Sequence, residues 1–127
     1  MKPISTPAAP TARGHYSQAI VHAGLVYVAG QLPAVPEDPA RRLESFEEQA
    51  RQVLANVVAI LEAAGSGSDL IVKATVYIAD LAHRPAFNAI YAEVLGAHRP
   101  ARTVVPVPQL HYGYLVEMDV IAALRGS

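Results

Sequence analysis

The stretch from Ser45 to Gly65 constrains this chain more than any other, because it encodes a helix with one apolar side. Ser45 and Glu48 have capping-box spacing, in which each side chain satisfies a free amide at the helix start. Ala50, Val53, Leu54, Val57, Leu61 and Ala64 then recur at about the 3.6-residue period and form one stripe. Gly65 supplies a left-handed stop. A helix of this kind must lay its stripe on another layer, and the segments around it read as strands.

Gln18–His22 and Leu25–Gly30 read as a hairpin around Ala23-Gly24. Pro33, Pro36 and Pro39 mark a loop from Gln31 to about Arg42. Leu70–Ile78 is β-rich, with Val72, Ala74, Val76 and Ile78 expected on one face and Ile71, Thr75 and Tyr77 on the other. A second helix starts near Pro85, carries Phe87, Ile90, Tyr91, Val94 and Leu95 as its stripe, and ends at Gly96. Two further strands follow, near Arg102–Val107 and Leu115–Leu124. Pro106 and Pro108 interrupt the first of these, which fits an edge or a bulge. Residues 1–13, rich in Pro, Thr and Ala, are expected to be a flexible arm before a single domain over residues 14–127.

The order ββαβαββ predicts an α+β fold with two helices on one face of a mixed sheet. The strands are apolar on both faces, so the second face needs a cover this chain does not supply. A homo-oligomer packed sheet against sheet is expected, with sites at subunit borders. Composition agrees: 52% hydrophobic and 17% charged residues is apolar for 127 residues.

Several classes of function are disfavoured. Net charge is −1 and there is no Lys/Arg run, so no nucleic-acid partner is expected. The chain has no cysteine, which removes disulfides, thiolate metal sites and a thiol nucleophile. The five histidines have no paired metal-ligand spacing, and no metal is expected. No apolar stretch approaches the roughly 20 residues of a membrane span. The N-terminus lacks the apolar core of a secretory signal, so a cytoplasmic location is the expectation.

Two charges open otherwise apolar strands: Arg102 in Arg99-Pro100-Ala101-Arg102-Thr103, and Glu117 in Leu115-Val116-Glu117-Met118-Asp119. Charges so placed are costly to bury unless paired or facing a cavity. A guanidinium aimed into a pocket is a fork for a carboxylate. A nearby carboxylate can hold a water or move a proton. The pair points to a small carboxylate-bearing molecule that undergoes acid–base chemistry. The plainer reading is a structural ion pair of Arg102 with Glu117 or Asp119.

Several runs together resemble the Rid family, the reactive intermediate deaminases or YjgF-type proteins. They are Gly14-His15-Tyr16-Ser17-Gln18-Ala19-Ile20, Val28-Ala29-Gly30-Gln31-Leu32-Pro33, Gln49-Ala50-Arg51-Gln52-Val53-Leu54-Ala55-Asn56, Ala86-Phe87-Asn88, and Arg99 to Thr103 leading to Val116-Glu117. The resemblance spans about Gly14 to Ala122. It implies a chorismate-mutase-like ββαβαββ subunit assembled as a homotrimer with clefts between subunits. It also implies hydrolysis of 2-imino acids, or their enamine tautomers, to 2-keto acids and ammonia, as in a 2-iminobutanoate/2-iminopropanoate deaminase. No metal or organic cofactor is implied.

By the same resemblance Arg102 corresponds to the substrate-anchoring arginine, Glu117 to the water-handling glutamate and Tyr16 to the cleft tyrosine. Gly30 corresponds to a glycine whose backbone approaches the ligand, and Asn88 to an asparagine near the cleft. Val104 stands where the family often has a cysteine whose backbone carbonyl is the acting group. The chain departs from the family at His15, where proline is usual. It departs again at Leu110-His111-Tyr112-Gly113, where Leu-Pro-Lys-Asp is frequent. His111 and Tyr112 would then line a wider or differently shaped cleft. Plainer readings stand beside these: Tyr16 as a core tyrosine, Gly30 as a strand end with positive φ, Asn88 bonded to local backbone, and His111 and Tyr112 as loop surface. The alternatives in function are a pathway-dedicated relative acting on a bulkier imine or unsaturated acid, a non-catalytic small-carboxylate binding protein, and RNA cleavage.

Overall fold

The computed structural model describes residues 1–126; Ser127, the last residue of the expected domain, lies outside them. Six strands form one sheet: β1 (Lys2–Ile4), β2 (Ala19–His22), β3 (Leu25–Gln31), β4 (Ile71–Ile78), β5 (Ala101–Pro106) and β6 (Val116–Ala123), in the spatial order β1-β2-β3-β6-β4-β5. All neighbours are antiparallel except β4 and β5, which run parallel. Helix α1 (Phe46–Ala63) joins β3 to β4, and α2 (Arg84–Leu95) makes the crossover from β4 to β5 that a parallel pair requires.

The start of α1 has the expected chemistry. Ser45 Oγ accepts from the Glu48 amide at 3.1 Å and Glu48 Oε1 accepts from the Ser45 amide at 3.3 Å. Gly65 follows the helix at φ 87°, a conformation that glycine adopts without a Cβ penalty. The stripe of α1 is buried from Phe46 through Ala50, Val53, Leu54 and Val57 to Leu61, and Phe87 and Ile90 of α2 join it. They pack on Val26, Val76, Val116, Met118 and Val120 of the central strands. Each such side chain contributes about 1.5–3 kcal/mol by leaving water. Among the described residues no helix is long and apolar enough to cross a membrane.

Three expectations need correction. Residues 1–13 are not simply a loose arm: Lys2–Ile4 pairs with β2, with Ile4 opposite Ala19, and Ile4 and Ala9 are buried. Gln18 clips this segment in place, accepting from the Thr6 amide at 2.8 Å and donating to the Pro10 carbonyl at 2.8 Å. The observed order therefore has one strand more than ββαβαββ. In β4, a bulge lies between Ile71 and Lys73. It puts Ile71 on the covered face with Ala74, Val76 and Ile78, and leaves Val72 50% exposed. Val94 of α2 also stands exposed, outside the stripe.

Both helices lie on one face of the sheet. The other face carries Ile20, Tyr27, Tyr77, Glu117, Asp119 and Ile121 by strand alternation, with no helix over it. Strand β5 is an edge strand and closes on Pro106, as a proline demands.

Candidate functional site

Arg102 lies on β5 opposite Ala74, so its side chain rises on the helix-covered face. There its Nη2 donates to Asn88 Oδ1 of α2 at 2.7 Å. Its guanidinium carbon sits 4.8 Å from the centre of the Tyr91 ring and 6.0 Å from that of Phe87. Ring faces attract a cation without neutralising it. Among the described residues the ion pairs are Arg51–Glu93 and Arg125–Asp69, and none of these residues gives Arg102 a carboxylate partner. The Asn88 amide oxygen is committed to Arg102 rather than to local backbone. Val104 follows on the same face of β5, opposite Val76. A shallow hollow of about 430 Å³ opens beside Arg102, between Tyr91, Gly96, His98 and Arg99.

Glu117 lies on β6 opposite Tyr77, on the open face. Its carboxylate rests on Gly30. The β3 strand bulges there, with Ala29 and Gly30 between the pairs Val28–Val120 and Gln31–Met118. A Cβ at residue 30 would collide with Glu117 Oε2. Gly30 is therefore set by close approach, and it is not among the positive-φ residues that the plainer reading required. Burial is the main force raising the Glu117 pKa above its ordinary 4.5; His111 pulls it down and the like charge of Asp119 pushes it up.

A cleft of about 550 Å³ borders Gly30 and is lined by Tyr16, Gln31, Arg42, Tyr112 and Tyr114 among others. Tyr16 is 55% exposed, which excludes its reading as a core tyrosine of this chain. His111 and Tyr112 form a short turn over His111–Gly113, in which Tyr112 holds φ 59° and is 74% exposed. A non-glycine residue in that region is held by its surroundings. Arg42 supplies the hold: its Nη2 donates to the Tyr112 carbonyl, and its guanidinium lies 4.8 Å from the Tyr114 ring centre.

The candidates thus fall into two groups. Arg102, Asn88 and Val104 stand on the covered side at the β5 edge. Tyr16, Gly30, Glu117, His111 and Tyr112 gather at the cleft and the open face. The sequence reading brought Arg102 and Glu117 to one place; within a single chain they lie on opposite faces. The ion pair of Arg102 with Glu117 or Asp119 is absent for the same reason.

Sequence reasoning missed the residues that frame the cleft. Asn56, buried on α1, donates to the carbonyls of Leu32 at 3.0 Å and Ala34 at 2.9 Å, fixing the loop after β3. Gln49, also buried, donates to Leu43 and accepts from the Leu115 amide at 2.8 Å. Both are polar residues in phase with an apolar stripe, a signal readable in the sequence. Arg42 carried no such signal. Among the described residues no group of three or more His, Asp and Glu side chains is placed to hold a metal ion.

Residues 6–124 match the family model described as Endoribonuclease L-PSP. Reactive Intermediate Deaminase A, chloroplastic, of Arabidopsis thaliana is 41% identical over 121 residues, covering 95% of this chain and 65% of that protein. The crystal structure of RidA from an Antarctic Psychrobacter species superposes with a TM-score of 0.93 at 39% identity, covering 98% of this chain and all of that one (100%). Escherichia coli TdcF, solved with bound serine, gives a TM-score of 0.93 at 34% identity, covering 97% of this chain and 98% of that one. With matches of this strength over nearly its whole length, the chain belongs to the Endoribonuclease L-PSP family, the Rid or YjgF proteins.

Proposed function

We propose that this protein hydrolyses reactive 2-imino acids, or their enamine tautomers, to 2-keto acids and ammonia. The observation that carries the reading is Arg102: a guanidinium held by a neutral amide and aromatic rings, with no carboxylate partner among the described residues. Its charge is left for a ligand carboxylate, gripped through the free N–H groups of the fork. The relative named Reactive Intermediate Deaminase A, and the relative solved with bound serine, support the same class of ligand.

Glu117 suits the second task. Water adds to the electrophilic carbon of the protonated imine while the Glu117 carboxylate takes one of its protons, giving a neutral carbinolamine. The protonated Glu117 returns that proton to nitrogen; as the C–N bond then breaks, the carbinolamine hydroxyl passes its own proton to the Glu117 carboxylate, the carbonyl forms and ammonia leaves. A carboxyl whose pKa is raised by burial moves protons nearer to neutral pH than an exposed one. Gly30 lets the carboxylate sit close to the backbone, with the Val104 carbonyl and Asn88 as further contacts. Tyr16 and Tyr112 wall the cleft, with His111 beside Tyr112.

Since Arg102 and Glu117 face opposite ways in one chain, the reading requires Arg102 of one subunit to meet Glu117 of the next. A homotrimer packed through the open sheet face supplies that meeting, and its uncovered Tyr27, Ile20 and Ile121 suit burial between subunits. The net charge of −1 argues against the endoribonuclease activity in the family's description. The test is the decay of 2-iminopropanoate made in situ by an amino-acid oxidase, with semicarbazide competing for the imine. Lower semicarbazone yield with wild type and not with Arg102→Ala supports the reading. Saturable binding of keto acids without any effect on yield favours a non-catalytic binding protein.

A further inference from the structure

The cleft beside Gly30 holds two positive charges that the reaction above does not use. Arg13 and Arg42 both line it, together with Tyr16 and Gly30, and no aspartate or glutamate does. Among the described residues neither arginine has a carboxylate within 4.0 Å. The whole chain is nearly neutral, with 10 basic and 11 acidic side chains, so a cleft walled by one sign is a local departure from its average.

Arg42 is also held in place. Its Nη2 reaches the Tyr112 carbonyl across 70 positions of sequence, and its plane rests near the Tyr114 ring. Its remaining N–H groups have no partner among the described residues. A fixed guanidinium with free donors is preorganised for a carboxylate. The opposite rim is fixed by Asn56 through Leu32 and Ala34. At about 550 Å³ the cleft falls in the range that encloses ligands far larger than a three-carbon imino acid. Gly30, on which the Glu117 carboxylate rests, borders this cleft, so positive charge lies along space that adjoins the expected reaction centre.

We propose that this cleft selects 2-imino acids whose side chain ends in a second carboxylate, with Arg42 gripping that distal group and Arg13 adding charge beside it. The inference rests on the deaminase reading for its substrate class. Arg102 takes the carboxylate next to the imine carbon, and Arg42 takes the one at the far end.

The test compares 2-iminoglutarate with 2-iminobutanoate, each generated by an amino-acid oxidase, for wild type, Arg42→Gln and Arg42→Lys. Calorimetry of 2-oxoglutarate and 2-oxobutanoate binding runs in parallel. The expected result is a preference of wild type for the dicarboxylate in kcat/KM and in Kd. That preference falls about tenfold in Arg42→Gln and returns in part in Arg42→Lys, which restores the charge without the fork. If Arg42 only props the Tyr112 loop, both ligands weaken together and the ratio stays fixed, which overturns the proposal. Turnover of 2-iminobutanoate without any preference for the dicarboxylate overturns the selectivity and leaves the deaminase reading standing. Absence of turnover with 2-oxoglutarate still bound more tightly, and sensitive to Arg42→Gln, overturns the deaminase reading and leaves the selectivity standing.

Discussion

The covered and open faces of the sheet hold their charges in different ways. On the covered side Arg102 sits against Tyr91, Phe87 and the Asn88 amide, all neutral, at the edge of a tightly packed core. On the open side Glu117 lies among other polar groups, with Asp119 two residues along and Tyr77 across the strand pair, over a glycine that gives it room. Tyr77 donates to Asp119 at 3.1 Å, so Glu117 is the carboxylate on that face left for other work. Two opposite charges kept on opposite faces cannot neutralise each other inside one chain. Under the proposed reaction the covered face would serve stability and ligand anchoring together, and the open face proton chemistry and assembly. Substitutions on the two faces should fail in different ways.

The largest effect belongs to the covered face. Phe87 is fully buried between α2 and the sheet, and Phe87→Ala should cost about 3–5 kcal/mol, read by urea denaturation at fixed protein concentration. A cost below about 1 kcal/mol would mean that α2 is not part of the core. Next, Arg102→Ala should lower kcat/KM for 2-iminopropanoate about 100-fold, the loss of a charge-assisted grip, while the folded protein keeps its circular dichroism. A loss of fold instead would make Arg102 a core residue only.

The open face should respond at Gly30. A Cβ there must displace the Glu117 carboxylate, so Gly30→Ala should lower kcat more than tenfold at nearly unchanged stability. The displaced atom is the end of a flexible side chain, and for that reason the fold survives. A fully active Gly30→Ala would separate Glu117 from the chemistry.

Glu117 also predicts a pH signature. Its folded pKa lies above 4.5, chiefly through burial, so the native state holds its proton more tightly than the unfolded chain does. Its contribution to stability is full below 4.5 and is lost as pH rises through the folded pKa. Glu117→Gln should flatten that decline in a stability–pH series. An unchanged slope in the variant would assign the decline to other groups. The smallest effect is at Tyr91, whose hydroxyl is buried without a hydrogen-bond partner among the described residues. Tyr91→Phe should raise stability by about 1 kcal/mol and keep the ring under Arg102. A loss of stability would reveal a partner for that hydroxyl in the assembled protein.

Much of the fold was legible because it is local. The capping box at Ser45, the glycine stop at Gly65, the Pro85 start and the Ala23-Gly24 turn act within a few residues, and each lies where its chemistry places it. What escaped was set by distance or by one-residue phase. The strand Lys2–Ile4 is held by pairing with β2, and the segment after it by Gln18, eight positions from Pro10 and twelve from Thr6. The bulge at Val72 flips Ile71 to the covered face, and alternation alone gives the wrong parity. The candidate site residues could be named from the sequence, but their placement could not. Nothing in the sequence states the register that sets Glu117 opposite Tyr77 and Arg102 opposite Ala74, and that register sends them to opposite faces.

The central claim is that Arg102 and Glu117 of different subunits act on one substrate, and mixed assembly tests it most directly. Arg102→Ala and Glu117→Gln chains, each inactive alone, would be co-expressed and assayed for 2-iminopropanoate hydrolysis. A site shared between neighbours predicts recovery of about a quarter of wild-type activity, the fraction of borders that unite an intact Arg102 with an intact Glu117 under random assembly. No recovery from demonstrably mixed oligomers would contradict the account.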